Sequence, residues 1–225
     1  MKDLLEKILA YLPGYILDLA RILSGPKQFV AERNKGDEGD LVKAFTFLGV
    51  SLSIFFILQG GFVAVQKFLT NAIMDGILYL LFIAIFSAII QLCWKIVGGK
   101  AEYQRFLITS SYYVGVLSIG FALGSLFFIG ILRMLFPDAY TWFVKFIQAP
   151  SVPAALNQDP SVSIGILLAF ITFVAVMFLT FVWALIGWGA YRELNQLSRP
   201  RSFMALLLTI LLSSPVAAAL YVMGF

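Results

Sequence analysis

Histidine is absent from this chain of 225 residues, and cysteine occurs once, at Cys93. The first absence removes the commonest general base and the commonest metal ligand together. The second allows no intrachain disulfide and leaves the redox compartment undetermined. Charge is scarce as well: Asp, Glu, Lys and Arg make up 12% of the residues, against about 25% in a soluble domain. No P-loop, G-x-G-x-x-G or H-E-x-x-H pattern occurs. Catalysis within a membrane requires a nucleophile with its base, paired carboxylates or a metal cage. Ser110 and Ser111 have no histidine to serve them, and Glu102 and Glu193 stand singly in separate polar stretches beside arginines, the usual setting of a salt bridge. The sequence therefore reads as non-enzymatic, with no catalytic residues, no metal site and no cofactor.

What is present is apolar. Hydrophobic residues make up 61% of the chain, and the mean hydropathy is +0.94, far above the 45–50% apolar content typical of soluble domains. The expected fold class is all-α: a polytopic integral membrane protein with five transmembrane helices at about 44–65, 72–94, 107–136, 162–189 and 203–222. Residues 1–43 form a separate amino-terminal region of amphipathic interfacial helices and linker; residues 44–225 form the membrane domain. In the amino-terminal region Leu4, Leu5, Ile8, Leu9 and Leu12 share one helical face, with Lys2, Asp3, Glu6 and Lys7 on the other. Pro13-Gly14 is expected to divide this stretch into two in-plane helices, since a single span would bury Asp18 and Arg21. Lys27 to Asp40 reads as a solvated connector, with Asp40 capping the first span.

The placement of cations sets the orientation. Lys2, Lys7, Arg21, Lys27, Arg33, Lys35 and Lys43 precede the first span; Lys95, Lys100 and Arg105 lie between the second and third; Arg192, Arg199 and Arg201 lie between the fourth and fifth. Only Lys67, Arg133 and Lys145 fall on the other side. Cationic loops stay cytoplasmic during insertion, so the amino terminus is expected inside and the carboxyl terminus outside. The net charge of +4 is spread beside the spans rather than along one stripe. It points to anionic phospholipid head groups and not to nucleic acid.

Polar residues inside the runs are few. Gln59, Asp75 and Gln91 are candidates to line a cavity, the feature on which a transporter or permease-subunit reading would rest. The alternatives are an interhelical amide bond for Gln59 and, for Asp75, a carboxylate in the first turn of the second span, where the helix dipole favours it. Gln66 to Asn71 reads as a brief turn. The third run is longer than the bilayer core, so its polar opening, Thr109 to Tyr113, either projects past the lipid or is covered by other helices. Ser111-xxx-Gly115 and Gly120-xxx-Gly124 fit close packing within the monomer, with a homo-oligomer face as the other use of that spacing. Residues 138–147 have the aromatic content of a short interfacial helix, followed by proline-rich coil. Trp94 and Tyr103 are expected in an aromatic belt.

The most distinctive stretch is Trp94-Lys-Ile-Val-Gly-Gly-Lys-Ala-Glu-Tyr-Gln-Arg-Phe106, followed by Ser111-Tyr112. It resembles the hallmark of the Yip-domain family, five-span proteins named for Ypt/Rab interaction. Arg21 to Val30 and the turn from Trp188 to Arg201 are similar to the family's segments before the first and last spans. The eukaryotic Asp-Leu-Tyr-Gly-Pro motif is reduced to Ser24-Gly25-Pro26, so the resemblance is to prokaryotic-type members. It implies a cytoplasmic (inner) membrane location and an association with membrane organisation, not a reaction. The expected binding face, for anionic lipid or a membrane or cytosolic protein partner, comprises Lys95, Gly98, Gly99, Lys100, Tyr103, Arg105, Tyr112, Arg192, Arg199 and Arg201.

Overall fold

A computed structural model describes the backbone over residues 2–60, 65–148 and 160–222, and side chains over 12–58, 76–146 and 160–215. Eight helices follow in order: α1 (Lys2–Ser24), α2 (Pro26–Arg33), α3 (Glu38–Gly60), α4 (Val65–Ile96), α5 (Tyr103–Leu135), α6 (Pro137–Gln148), α7 (Pro160–Asn195) and α8 (Arg199–Val222). No strand occurs among the described residues. Four helices are long and apolar enough to cross a membrane: Glu38–Leu58, Gly76–Ile96, Tyr103–Leu135 and Pro160–Asn195. Only 17–28% of the apolar window of each is buried inside the protein, so most of their hydrocarbon surface faces outward. Such an area greatly exceeds the few hundred Å² of contiguous apolar patch that water-soluble monomers carry. α8 is also helical, but its side chains are described only to residue 215.

α5 is the central helix, packed mainly on α3 and α7 and also on α4; α8 packs principally on α4, and α2 on α7. Small residues set these approaches. A methyl group at Gly115 would lie 2.7 Å from the Phe47 ring of α3, and one at Gly120 would lie 2.5 Å from the Thr180 hydroxyl of α7. The glycine spacing on α5 is therefore used inside the monomer. The polar opening from Thr109 to Tyr113 is buried throughout, covered by neighbouring helices.

Several boundaries depart from the sequence reading. α1 is one continuous helix through Pro13 and Gly14, not two. Both residues are exposed, so the proline costs a backbone hydrogen bond without forcing a break. The stretch from Lys27 to Asp40 is no solvated connector. Pro26 occupies the first turn of α2, where its missing N–H is no loss, and Phe29, Val30 and Asn34 are buried. Asp37, not Asp40, caps α3: its Oδ1 accepts the Asp40 backbone N–H at 2.7 Å, while Asp40 Oδ2 accepts the Lys35 N–H at 2.8 Å. Gln66 to Asn71 belongs to α4, which places Asp75 well beyond the first turn and outside the reach of the helix dipole. Trp94 is fully buried against Trp188 and Tyr191 rather than set in a belt. The short helix expected after residue 137 is α6; residues 149–159, read as coil, lie outside the described residues.

A basic end built on two interlocked turns

The two basic turns, α4 to α5 and α7 to α8, meet at one end of the bundle. Both begin with the same capping geometry. At the first, Gly98 N–H donates to Lys95 O at 3.0 Å and Gly99 N–H to Trp94 O at 2.7 Å; at the second, Gln196 N–H donates to Glu193 O at 3.1 Å and Leu197 N–H to Arg192 O at 3.2 Å. These paired bonds form a Schellman motif, which satisfies carbonyls left over at a helix end and requires a left-handed residue at the first position past it. Gly98 fills that position with φ +99° and Gln196 with φ +53°.

Asn195 joins the turns. Its Oδ1 accepts the Ala101 backbone N–H at 3.2 Å, and its Nδ2 donates to Tyr191 O at 2.8 Å. Gly99 is needed here for space rather than conformation: a Cβ would lie 2.5 Å from Asn195 Oδ1 and 2.8 Å from Trp94 O. Below the turns, Ser110 and Tyr191 hydroxyls lie 2.9 Å apart, and the Tyr113 hydroxyl donates to Gly187 O. Tyr113, Phe106, Trp94 and Trp188 surround the Tyr191 ring.

The amino-terminal helices close the same end. Asn34 Nδ2 donates to Arg105 O at 2.7 Å and to Thr109 Oγ1 at 2.8 Å, and Arg105 returns a bond to Asn34 O at 3.1 Å. Arg33 pairs with Asp18 at 2.8 Å and Arg21 with Glu32 at 2.7 Å, so these four charges of α1 and α2 neutralise one another in pairs. Tyr15 lies within hydrogen-bonding distance of Ser51, 3.0 Å away, and Trp183 Nε1 donates to Ile22 O at 3.3 Å. Burial raises the pKa of the Tyr15 phenol, and its bond to Ser51 offsets part of that rise.

The residues singled out from the sequence divide accordingly. Lys95, Lys100, Arg199 and Arg201 are exposed and form no ion pair among the described residues. Arg192 is partly buried and only 3.8 Å from Glu193. Arg105 is committed to Asn34, and its aliphatic stem lies against Gly36. Tyr112 is fully buried between Phe29 and Phe47, so its ring meets protein and not the surroundings. Tyr103 is at the edge, its hydroxyl donating to Ala84 O at 2.9 Å. Gln91 Nε2 donates to Ala101 O at 3.3 Å, bracing the first turn; the side chains of Gln59 and Asp75 lie outside the described residues.

Asn34, Asn195 and Tyr191, which the sequence reading passed over, make several of the bonds between elements here. The one signal available was the spacing of Asn195, four residues after an aromatic at a helix end. No group of three or more His, Cys, Asp or Glu able to hold a metal occurs among the described residues. Comparison with protein-family models, with curated proteins and with solved structures gives no match.

Proposed function

We propose that this chain is a non-enzymatic, five-span protein of the cytoplasmic membrane, Yip-like in arrangement, whose basic end lies on the cytoplasmic side and binds the anionic surface of that membrane. The observation that carries this reading is the contrast in charge at one end of the bundle. Arg33 and Arg21 of α2 and α1 are neutralised by Asp18 and Glu32, whereas Lys95, Lys100, Arg199 and Arg201 are left without acidic partners among the described residues. Each basic residue near an anionic surface contributes about 1 kcal/mol of attraction.

The amino-terminal helix supports the same placement. Tyr15 and Ile22 of α1 turn into the protein, but Leu12, Ile16, Leu17 and Leu23 are exposed. A helix packed on one side and apolar on the other suits the lipid interface, where it buries the second face. The fifth span is α8, with Pro215 inside it. Proline at 215 frees the Leu211 carbonyl, which accepts the Ser214 hydroxyl at 3.0 Å, a compensation suited to a helix in lipid.

The test is co-purification of the full chain with lipid. Replacing Lys95, Lys100, Arg199 and Arg201 by glutamine together should lower the ratio of anionic to zwitterionic lipid retained by severalfold, with the helical content unchanged. An unchanged ratio would remove the lipid-face reading; an unchanged ratio with loss of a bound protein would redirect it to a protein partner. Orientation is checked separately by labelling Lys100→Cys in a Cys93→Ala background, which should react only from the cytoplasmic side.

A further inference from the structure

α1 touches the bundle well short of the basic end. The Tyr15 hydroxyl is 3.0 Å from Ser51 of α3, and its ring centre is 5.0 Å from that of Phe47. Further along α1, Ile22 O accepts the Trp183 indole N–H of α7 at 3.3 Å. Ser51 is about 20 Å from the start of α3 at Glu38, and Trp183 about 18 Å from the end of α7 at Asn195, at 1.5 Å per residue. α2 lies nearer that end. Its Phe29 meets Tyr112 edge-on, its Lys27 lies over Gly189, and Asn34 just beyond it bonds Arg105 O and Thr109. α2 is therefore between α1 and the basic turns.

The two long edges of α1 differ. Asp18 and Arg21, a helical turn apart, form the edge toward α2, where they pair with Arg33 and Glu32. Leu12, Ile16 and Leu23, at i, i+4 and i+11, share the other edge and are exposed. Tyr15 and Ile22, on the face between, are buried against the bundle. With 3.6 residues per turn the two edges are nearly opposite one another. The charged edge looks toward the basic end, so the apolar edge looks toward the middle of the bundle.

α7 marks the lipid boundary at a similar level. Its last large exposed apolar residue before the basic end is Ile186, about 13 Å short of Asn195 at 1.5 Å per residue. Beyond it the exposed residues of α7 and α2 are Glu193, Gln28, Ala31 and Glu32, a surface for water or head groups. On the α4–α8 side exposed apolar residues continue to Ile96 and Phe203, so the boundary crosses the bundle obliquely and is furthest from the turns beside α1. A helix of 23 residues, about 34 Å long, thus lies at that boundary in one leaflet. At the far end, α6 is about half as long, with 12 residues.

We propose that α1 is a wedge in the leaflet at the basic end, with Leu12, Ile16 and Leu23 among the acyl chains and Asp18 and Arg21 at head-group level, which drives the chain toward membrane that bulges on that side. This rests on the membrane reading above but concerns shape rather than charge. A helix seated at that depth spreads head groups apart without filling the middle of the bilayer, a mismatch that convex curvature relieves.

The experiment uses the full chain with Cys93→Ala and Lys100→Cys, carrying a fluorophore at position 100 and reconstituted in phosphatidylcholine alone, so that head-group charge plays no part. The share of fluorophore quenched from outside counts the molecules whose basic end faces the convex surface. Passing from large extruded to small sonicated vesicles should shift the ratio of orientations severalfold toward basic-end-out. Leu12→Ser, Ile16→Ser and Leu23→Ser together should remove most of that dependence. Depth is read with the fluorophore moved to Ile16→Cys or to Gln28→Cys: lipids brominated in mid-chain should quench position 16 strongly and position 28 weakly. A chain that fails to float with the vesicles overturns the membrane reading and this proposal with it. A floating chain whose orientation ignores vesicle size, a triple variant that keeps the dependence, or equal quenching at positions 16 and 28 overturns the wedge and leaves the reading of the basic end untouched.

Discussion

The two ends of the same bundle are held by different means. At the basic end, polar side chains cross between elements: Asn34 to α5, Asn195 to the neighbouring turn, Ser110 to Tyr191. At the opposite end, the cluster around Leu132, Ala139, Val162 and Ala169 is closed by size and shape. Phe128 meets Phe143 edge-on at 5.0 Å, and Gly165 brings α7 against the α5–α6 junction so closely that a methyl group would lie 2.7 Å from Phe136 Cβ. Hydrogen bonds are directional and costly to leave half-made, so the first arrangement fixes one geometry. Dispersion contacts fall off smoothly with displacement, so the second permits small shifts. The end that gathers the larger share of the unpaired cations among the described residues, against Arg133 and Lys145 at the other, is thus the end with the more rigidly specified backbone.

Asn195→Leu is the largest single test of that difference. The substitution keeps the volume but strands the buried Ala101 N–H, and should destabilise by about 2–3 kcal/mol, toward the upper end for an unsatisfied buried donor. Thermal unfolding of the full chain in detergent measures it. Limited trypsin cleavage adds a readout specific to the region: cutting after Lys95 and Lys100 should accelerate as the turns separate. The counterpart at the other end is Gly165→Val. Its clash with Phe136 and Ala139 should cost a smaller ~1–2 kcal/mol, since α6 can move away, and should leave trypsin cleavage of the basic turns unchanged. If Gly165→Val opened those turns as readily as Asn195→Leu, the two ends would be one cooperative unit and the contrast would collapse.

How far this was readable beforehand depends on the kind of signal involved. Long apolar runs marked the helices α3, α4, α5 and α7, because an uninterrupted hydrocarbon stretch of about 20 residues matches the depth of a bilayer and little else. Helix limits were misread at two kinds of place: Pro13-Gly14, which α1 runs through, and Gln66 to Asn71, whose polar residues were taken for a turn although the stretch contains neither glycine nor proline to stop a helix. The cationic cluster was legible from composition, but its division into exposed and committed members was not. Arg105 and Arg201 are alike in sequence, and only the fold gives the first to Asn34. The amides Asn34 and Asn195 were invisible because an isolated asparagine has no periodicity; its partner lies 71 or 94 residues away.

The finest form of the comparison lies within the basic end itself, between its two turns. Both use a left-handed residue to close a helix, yet the first has glycine at 98 and the second has glutamine at 196. A residue with a Cβ suffers steric crowding against its own carbonyl in left-handed backbone, whereas glycine populates it freely. Gln196→Gly should therefore stabilise the chain by about 0.5 kcal/mol once the greater entropy of an unfolded glycine is subtracted, and Gly98→Ala should destabilise it by about 1 kcal/mol. The side chain of Gln196 is exposed, so removing it sacrifices little packing. Opposite signs from the two substitutions, measured in the same detergent unfolding experiment, are the expected result. If Gln196→Gly were destabilising instead, the glutamine would be contributing a contact at the membrane surface beyond the closing of its helix, and the two turns would differ in role as well as in residue.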